Sequence, residues 1–210
     1  KMKQRLNSCN AKIVVLSKRW KELITPFLGK CVVSSNPIDP IHCIDESVER
    51  KPNQILLLGR NDAVKGHDFA FKIMRELKGL GSNLTLHCTG REQAPDDLDN
   101  VVAHGWVSIE DKVKLLQESS ALILPSVFEG QPMVALEALA CGTPVLASKS
   151  LHSLPEAIFR PEQETAESWA NSINDLLGVK AELGDELNQH YIESINLNLL
   201  ALYQELIESA

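Results

Sequence analysis

The 210 residues are 44% apolar and 23% charged, the balance of a folded globular chain rather than a disordered one. A formal net charge of −7 excludes a nucleic-acid backbone as the main partner, because that attraction is built from surplus lysine and arginine. No apolar run approaches the roughly 20 residues of a membrane span, and the opening KMKQRLNSCN lacks the apolar core of a secretory signal, so the expected location is the cytoplasm without a transmembrane segment.

In chain order, Ala11 to Ser17 is a short β-branched run, followed by a helical pattern (Trp20, Leu23, Ile24, Phe27) and a second strand, Cys31-Val32-Val33. Asn36-Pro37-Ile38-Asp39-Pro40 then ends any regular element and marks the best linker in the chain. Gln54 to Leu58 is a continuous apolar run, as expected of a strand buried on both faces of a parallel sheet. Phe69, Ile73, Leu77 and Leu80 recur at helical spacing, and Leu84, Leu86 and Cys88 alternate as a strand. Val101-Val102 is a shorter strand. Ser108 is placed as the N-cap of a helix that turns Ile109, Val113 and Leu116 to one side. Ala121 to Leu124 reads as strand, Pro132 to Ala140 as helix and Val145 to Ala147 as strand. Thr165 caps a helix with the stripe Trp169, Ile173, Leu176 and Leu177, stopped by Gly178, and Leu187 to Leu206 supplies one or two terminal helices.

This alternation predicts an α/β fold: a Rossmann-like, doubly wound parallel sheet with helices on both faces, preceded by a short β-α-β remnant and followed by C-terminal helices. The five cysteines (Cys9, Cys31, Cys43, Cys88, Cys141) are scattered and read as small core residues, with no disulfide framework and no metal site.

In such sheets ligands lie beyond the carboxyl ends of the strands. Four loops qualify and are expected to converge: Gly59 to Gly66, Thr89 to Pro95, Pro125 to Pro132 and Ser148 to Glu156. Arg60 and Lys65 could pair with a diphosphate or be ordinary solvated charges. Pro132 suits the first helical turn, leaving the amides of Met133 and Val134 and the helix dipole facing an anion. Glu129 ahead of the helix and Glu137 inside it could accept bonds from two sets of hydroxyls, or could belong to a solvated acidic face. His152 lies in a suggestive loop and reads as a surface residue.

The stretch Glu129-Gly130-Gln131-Pro132 through Leu136-Glu137-Ala138, followed by Cys141-Gly142-Thr143-Pro144-Val145, resembles the signature of family-4 glycosyltransferases of the GT-B fold, with seven residues between two glutamates. Gly59-Arg60 with Lys65-Gly66 is similar to that family's diphosphate-binding pair, and Asn36-Pro37-Ile38-Asp39 to its hinge. Gly105-Trp106-Val107 and Pro155-Glu156 follow in family order.

The resemblance implies a retaining, metal-independent glycosyltransferase of the hexosyltransferase type, using a nucleotide-diphosphate sugar as donor and no cofactor. Arg60 and Lys65 would neutralise the diphosphate with help from Met133 and Val134; Glu129 would hold the donor sugar and Glu137 the ribose. Gly130, Gln131 and Pro132 would complete the donor site, with the base near Gly90, Arg91 and Val107. Residues 1–38 would then be the trailing piece and hinge of an N-terminal GT-B half, and residues 39–210 the C-terminal nucleotide-sugar-binding domain. The N-terminal half of the same enzyme would carry a saccharide or lipid-linked acceptor and any membrane association, so the chain alone is expected to be inactive. A non-catalytic nucleotide-sugar-binding module and a GT-B epimerase or phosphorylase are the competing readings. Two departures from the pattern stand out: His152-Ser153-Leu154 replaces glycines, and Phe159-Arg160-Pro161 leaves little room for the short strand the family places there.

Overall fold

The computed structural model describes residues 4–6, 11–181 and 185–208. Its centre is a five-stranded parallel sheet built from β3 (Lys51–Leu57), β4 (Thr85–Cys88), β5 (Val101–Ala103), β6 (Ser119–Leu124) and β7 (Val145–Ala147), in the order β5-β4-β3-β6-β7. Successive strand residues point to opposite faces, and both faces are covered. Ile55, Leu57, Leu86, Ala121, Ile123 and Leu146 share one cluster with α2 (His67–Gly79) and α5 (Ala166–Leu176), where Trp169 is fully buried. Leu56, Leu58, Leu122, Leu124 and Val145 pack on the other face against α3 (Ile109–Glu118) and α4 (Met133–Ala140). A strand buried on both sides has no polar face to alternate, which is why the second half of β3, continuing into Leu58, and the Ala121 to Leu124 part of β6 read as unbroken apolar runs.

Ahead of this sheet stand β1 (Ile13–Val15) and β2 (Cys31–Val33), a separate parallel pair joined by α1 (Lys18–Leu28). Here α1 buries none of its residues and Phe27 is 74% exposed. The chain ends in α6 (Ile192–Glu208), which an ion pair between Lys12 and Glu205 ties back to the segment leading into β1. Ile38, fully buried between the linker prolines, donates its N–H to the carbonyl of His190 at 2.7 Å.

Local chemistry fixes the helix ends. Ser108 accepts from the Asp111 amide to start α3, and Thr165 accepts from the Ser168 amide to start α5. Several expectations shift. Leu80 and Ile109 are exposed, so neither belongs to its helix's buried stripe. Cys31, Cys88 and Cys141 are core residues, burial pushing the thiols of Cys88 and Cys141 up to about 11 and about 12, whereas Cys43 is exposed; Cys9 lies outside the described residues. The strand with little room after Ile158 survives as one residue, Phe159, which exchanges backbone bonds with Val145 and Ala147 at the edge of β7. Arg160 anchors that turn by donating to the carbonyls of Ser148 and Leu151. No helix among the described residues is long and apolar enough to cross a membrane.

Candidate functional site

The strand order reverses direction between β3 and β6: the chain winds outward from β3 to β5, then returns to lay β6 and β7 on the other side. A crevice opens at such a switch point, where neighbouring loops leave in opposite directions. The loops after β3 and β6 meet there almost backbone to backbone. Gly66 has φ +76°, and a Cβ on it would lie 2.4 Å from the Pro125 carbonyl oxygen; Val127 also donates to the Val64 carbonyl at 3.0 Å. Gly90, at φ +77°, brings the loop after β4 against the first turn of the loop after β3, where a Cβ would sit 2.2 Å from the Gly59 oxygen. Only glycine reconciles that backbone conformation with that proximity.

Three of the expected loops therefore build one pocket of about 460 Å³, lined by Arg60, Lys65, Val107, Glu129, Gln131, Pro132, Met133, Val134 and Glu137, together with Leu58, Gly59, Thr89, Trp106 and Lys112. The fourth loop goes elsewhere. Ser148, Lys149 and Ser150 line a larger cavity of about 700 Å³ on the far side of the Lys65-Gly66 turn, with Phe69, Lys72 and Glu164. His152 is exposed.

Two ion pairs organise the smaller pocket. Lys65 Nζ meets Glu129 Oε1 at 2.5 Å with both side chains mostly buried, and Lys112 Nζ meets Glu137 Oε1 at 2.9 Å. A lysine ammonium has three donors, so each can hold its carboxylate and still reach a second acceptor. Arg60 is the accessible cation: its side chain is 71% exposed and touches Asp62 at 3.3 Å. Between the pairs lies the start of α4. The helix begins at Met133 rather than at Pro132, which is the N-cap with ψ 96°, and no side chain caps it. Its first amides are therefore left to whatever fills the pocket. Ala135, Leu136, Ala138, Leu139 and Ala140 are buried, and the half-buried Met133, Val134 and Glu137 form the pocket wall. Met133 and Glu137, four residues apart, share one helix face.

Other expected residues take different positions. The Arg91 guanidinium pairs with Asp68 at 3.0 Å and lies 5.1 Å from the centre of the Phe71 ring, so it belongs to the α2 side and not to the pocket wall. Gly90 supports the pocket from behind. Gly130 offers its carbonyl to Trp20 Nε1 at 2.7 Å, and Trp20 stands edge-on to Phe128. The Gln131 amide accepts from the Asn36 N–H at 2.8 Å and donates to the Leu16 carbonyl at 3.0 Å. Gly130 and Gln131 thus moor the Glu129 loop to the β1-β2 segment and the linker, and Gln131, expected to touch the donor, also lines the pocket whereas Gly130 does not.

Lys112 escaped sequence reasoning, and Trp106 and Thr89 stood out only as members of a motif and a loop, not as site residues. Lys112 reaches Glu137 only because α3 packs beside α4, and no local pattern announces that contact. Among the described residues, no group of three or more His, Cys, Asp or Glu side chains is placed to hold a metal ion.

The family described as glycosyl transferases group 1 matches residues 52–178. Among curated relatives, glycogen synthase of Mycobacterium tuberculosis (strain ATCC 25618 / H37Rv) is 30% identical over 150 residues, covering 66% of the chain and 36% of that enzyme. Sucrose-phosphate synthase (tll1590) from Thermosynechococcus elongatus superposes with a TM-score of 0.77 at 20% identity, over 95% of the chain and 59% of its own. Anabaena Alr3699/HepE, solved in complex with UDP and glucose, gives a TM-score of 0.73 at 16% identity, over 97% and 66%. At these identities the two structures share the fold, that of GT-B glycosyltransferases. The chain spans only part of the length of the curated relatives it matches, from 23% of the putative colanic acid biosynthesis glycosyl transferase WcaC of Escherichia coli (strain K12), to which it is 35% identical over 42% of its own length, through 36% of that glycogen synthase to 55% of the amylovoran biosynthesis glycosyltransferase AmsK of Erwinia amylovora.

Proposed function

The chain belongs to the group 1 glycosyl transferases, and from that membership we propose that it binds the donor, a sugar linked to a nucleoside diphosphate, and takes part in transferring that sugar with retention at the anomeric carbon and without a metal ion. The observation that carries this reading is the pocket in which Arg60, Lys65 and the uncapped start of α4 face one space flanked by Glu129 and Glu137. A diphosphate leaving group departs with extra charge, and fixed cations and amides aimed at it lower that barrier without reorganising. Arg60 and Lys65 supply the positive charge that a metal would otherwise bring. Glu129, already bound to Lys65, accepts bonds from the sugar hydroxyls; Glu137, held by Lys112, accepts them from the ribose. Val107 and Trp106 border the end of the pocket where the base goes. HepE, a protein of the same fold, was solved in complex with UDP and glucose, which supports a nucleotide and a sugar as the ligands of such a domain. The acceptor belongs to a second half of the enzyme, docked against the β1-β2 side, and the product is a glycoside or polysaccharide linkage.

Titration calorimetry with uridine, guanosine and adenosine diphosphates and their sugars tests the reading. Arg60→Ala and Lys65→Ala should each weaken the best ligand by about 1.5–3 kcal/mol, on the order of ten- to a hundredfold. Unchanged affinity in both variants would refute the diphosphate assignment. Transfer by the complete enzyme should also persist in a chelator.

A further inference from the structure

We propose that His42 is a positioning residue for Glu137, a hidden donor that fixes the ribose-facing carboxylate from beneath; the inference rests on the ribose role given to Glu137 above. His42 stands just past the linker prolines, and its side chain is 1% exposed. Its Nδ1 faces the Asp39 carbonyl at 3.2 Å, in a turn that the His42 amide closes on the same oxygen. Its Nε2 is sealed from solvent and has no hydrogen-bond partner. The charged atom it faces is Glu137 Oε1 at 3.7 Å, just beyond bonding length. Buried polar nitrogens are almost always paired, so an orphan aimed at a carboxylate is a contact waiting for a small rotation. A proton on Nε2 would complete that contact, and Glu137 is the charged group within its reach.

The direction of approach gives this contact its consequence. Lys112 comes to Glu137 from α3, His42 comes from the linker, and both meet Oε1. Two donors on one carboxylate oxygen pin the group and turn Oε2 toward hydroxyls. The linker that leads into the sheet thereby sets the geometry of a nucleotide contact in the pocket, and does so without touching the nucleotide.

Asparagine and glutamine separate the two ends of the ring. Asn at this position can replace the Nδ1 contact to Asp39 but stops short of Glu137, whereas the longer Gln places an N–H near the position of Nε2. The probe is whichever of the uridine, guanosine and adenosine diphosphates binds most tightly, with inorganic pyrophosphate as the ribose-free control. His42→Asn should weaken the nucleotide about five- to tenfold, and His42→Gln should stay within about twofold of the parent. Pyrophosphate affinity should not move in either. In a Glu137→Ala background His42→Asn should cost nothing further, because its effect passes through that carboxylate. Equal losses in the Asn and Gln variants, or the same loss with and without Glu137, overturn the proposal, since both are the behaviour of a purely structural histidine. Thermal midpoints measured in parallel assign any loss shared by nucleotide and pyrophosphate to the fold, which also counts against it. A Glu137→Ala variant that binds nucleotide as tightly as the parent refutes the ribose assignment instead, a separate and recognisable result.

Discussion

Two arginines bracket the central strand, and their surroundings differ completely. Arg50, just ahead of β3, donates to the carbonyls of Ser119 and Cys141 at 2.7 and 2.6 Å and to the Thr143 hydroxyl at 2.8 Å. Burial draws its pKa below the usual guanidinium value. Arg60, just after β3, stands mostly in solvent beside one aspartate. At the amino edge of the sheet the cation is consumed in closing the structure: it satisfies carbonyls at the end of α3 and α4 that the helices leave unpaired. At the carboxyl edge the cation is held in reserve. The same residue type at the two ends of one strand thus closes the structure in one place and, in the proposed reading, binds the donor in the other.

The strongest test of that contrast is Gly90→Ala. A Cβ there meets the Gly59-Arg60 backbone at a positive φ, so the loops must part and the variant should lose roughly 3 kcal/mol or more of stability along with its ligand affinity. Chemical denaturation and calorimetry on the same sample check both. Arg50→Ala comes next: about 2–3 kcal/mol of stability should go, with affinity of the surviving folded fraction unchanged. Arg60→Ala should do the reverse, shifting stability by less than about 0.5 kcal/mol while weakening the donor. If both arginine variants lose stability equally, the two edges are not different in kind.

Within the carboxyl edge the two carboxylates can be separated in the same way. Glu137→Ala should weaken free nucleotide and sugar nucleotide alike, by about 1–2 kcal/mol, whereas Glu129→Ala should matter mainly when the sugar is present. Identical profiles would dissolve the division of labour.

A pH-dependent test lies between the edges. His87 Nδ1 and His104 Nε2 are 2.9 Å apart on β4 and beyond β5, and burial first, then His104 and Lys51, pulls His87 from its ordinary 6.5 to about 4. The unfolded chain therefore takes up this proton first as pH falls. The contribution is complete above pH 6.5 and is lost progressively toward about pH 4. Thermal midpoints followed across that window should decline, and His87→Gln should flatten that part of the decline.

The order of strands and helices in the central domain was legible from the chain alone because β6, β7 and the second half of β3 are buried on both faces and α2, α3 and α5 each bury one stripe, so hydrophobic period reports those elements directly. Arg60, Lys65, Glu129, Met133 and Glu137 were legible as a set because loops at the carboxyl ends of parallel strands must gather where the winding reverses. Pairing was not. That Lys65 holds Glu129, that Lys112 crosses from α3 to Glu137, that Arg91 turns back to Asp68, and that Gln131, while lining the pocket, also bonds the backbone of Leu16 and Asn36 are contacts between residues far apart in sequence. The sequence by itself determined the fold and most of the candidate site's lining, since those follow from local periodicity and from the loops at the carboxyl ends of the strands. Only the tertiary structure decided which charge meets which, because a long side chain chooses its partner by the packing of neighbouring elements and not by its position in the chain.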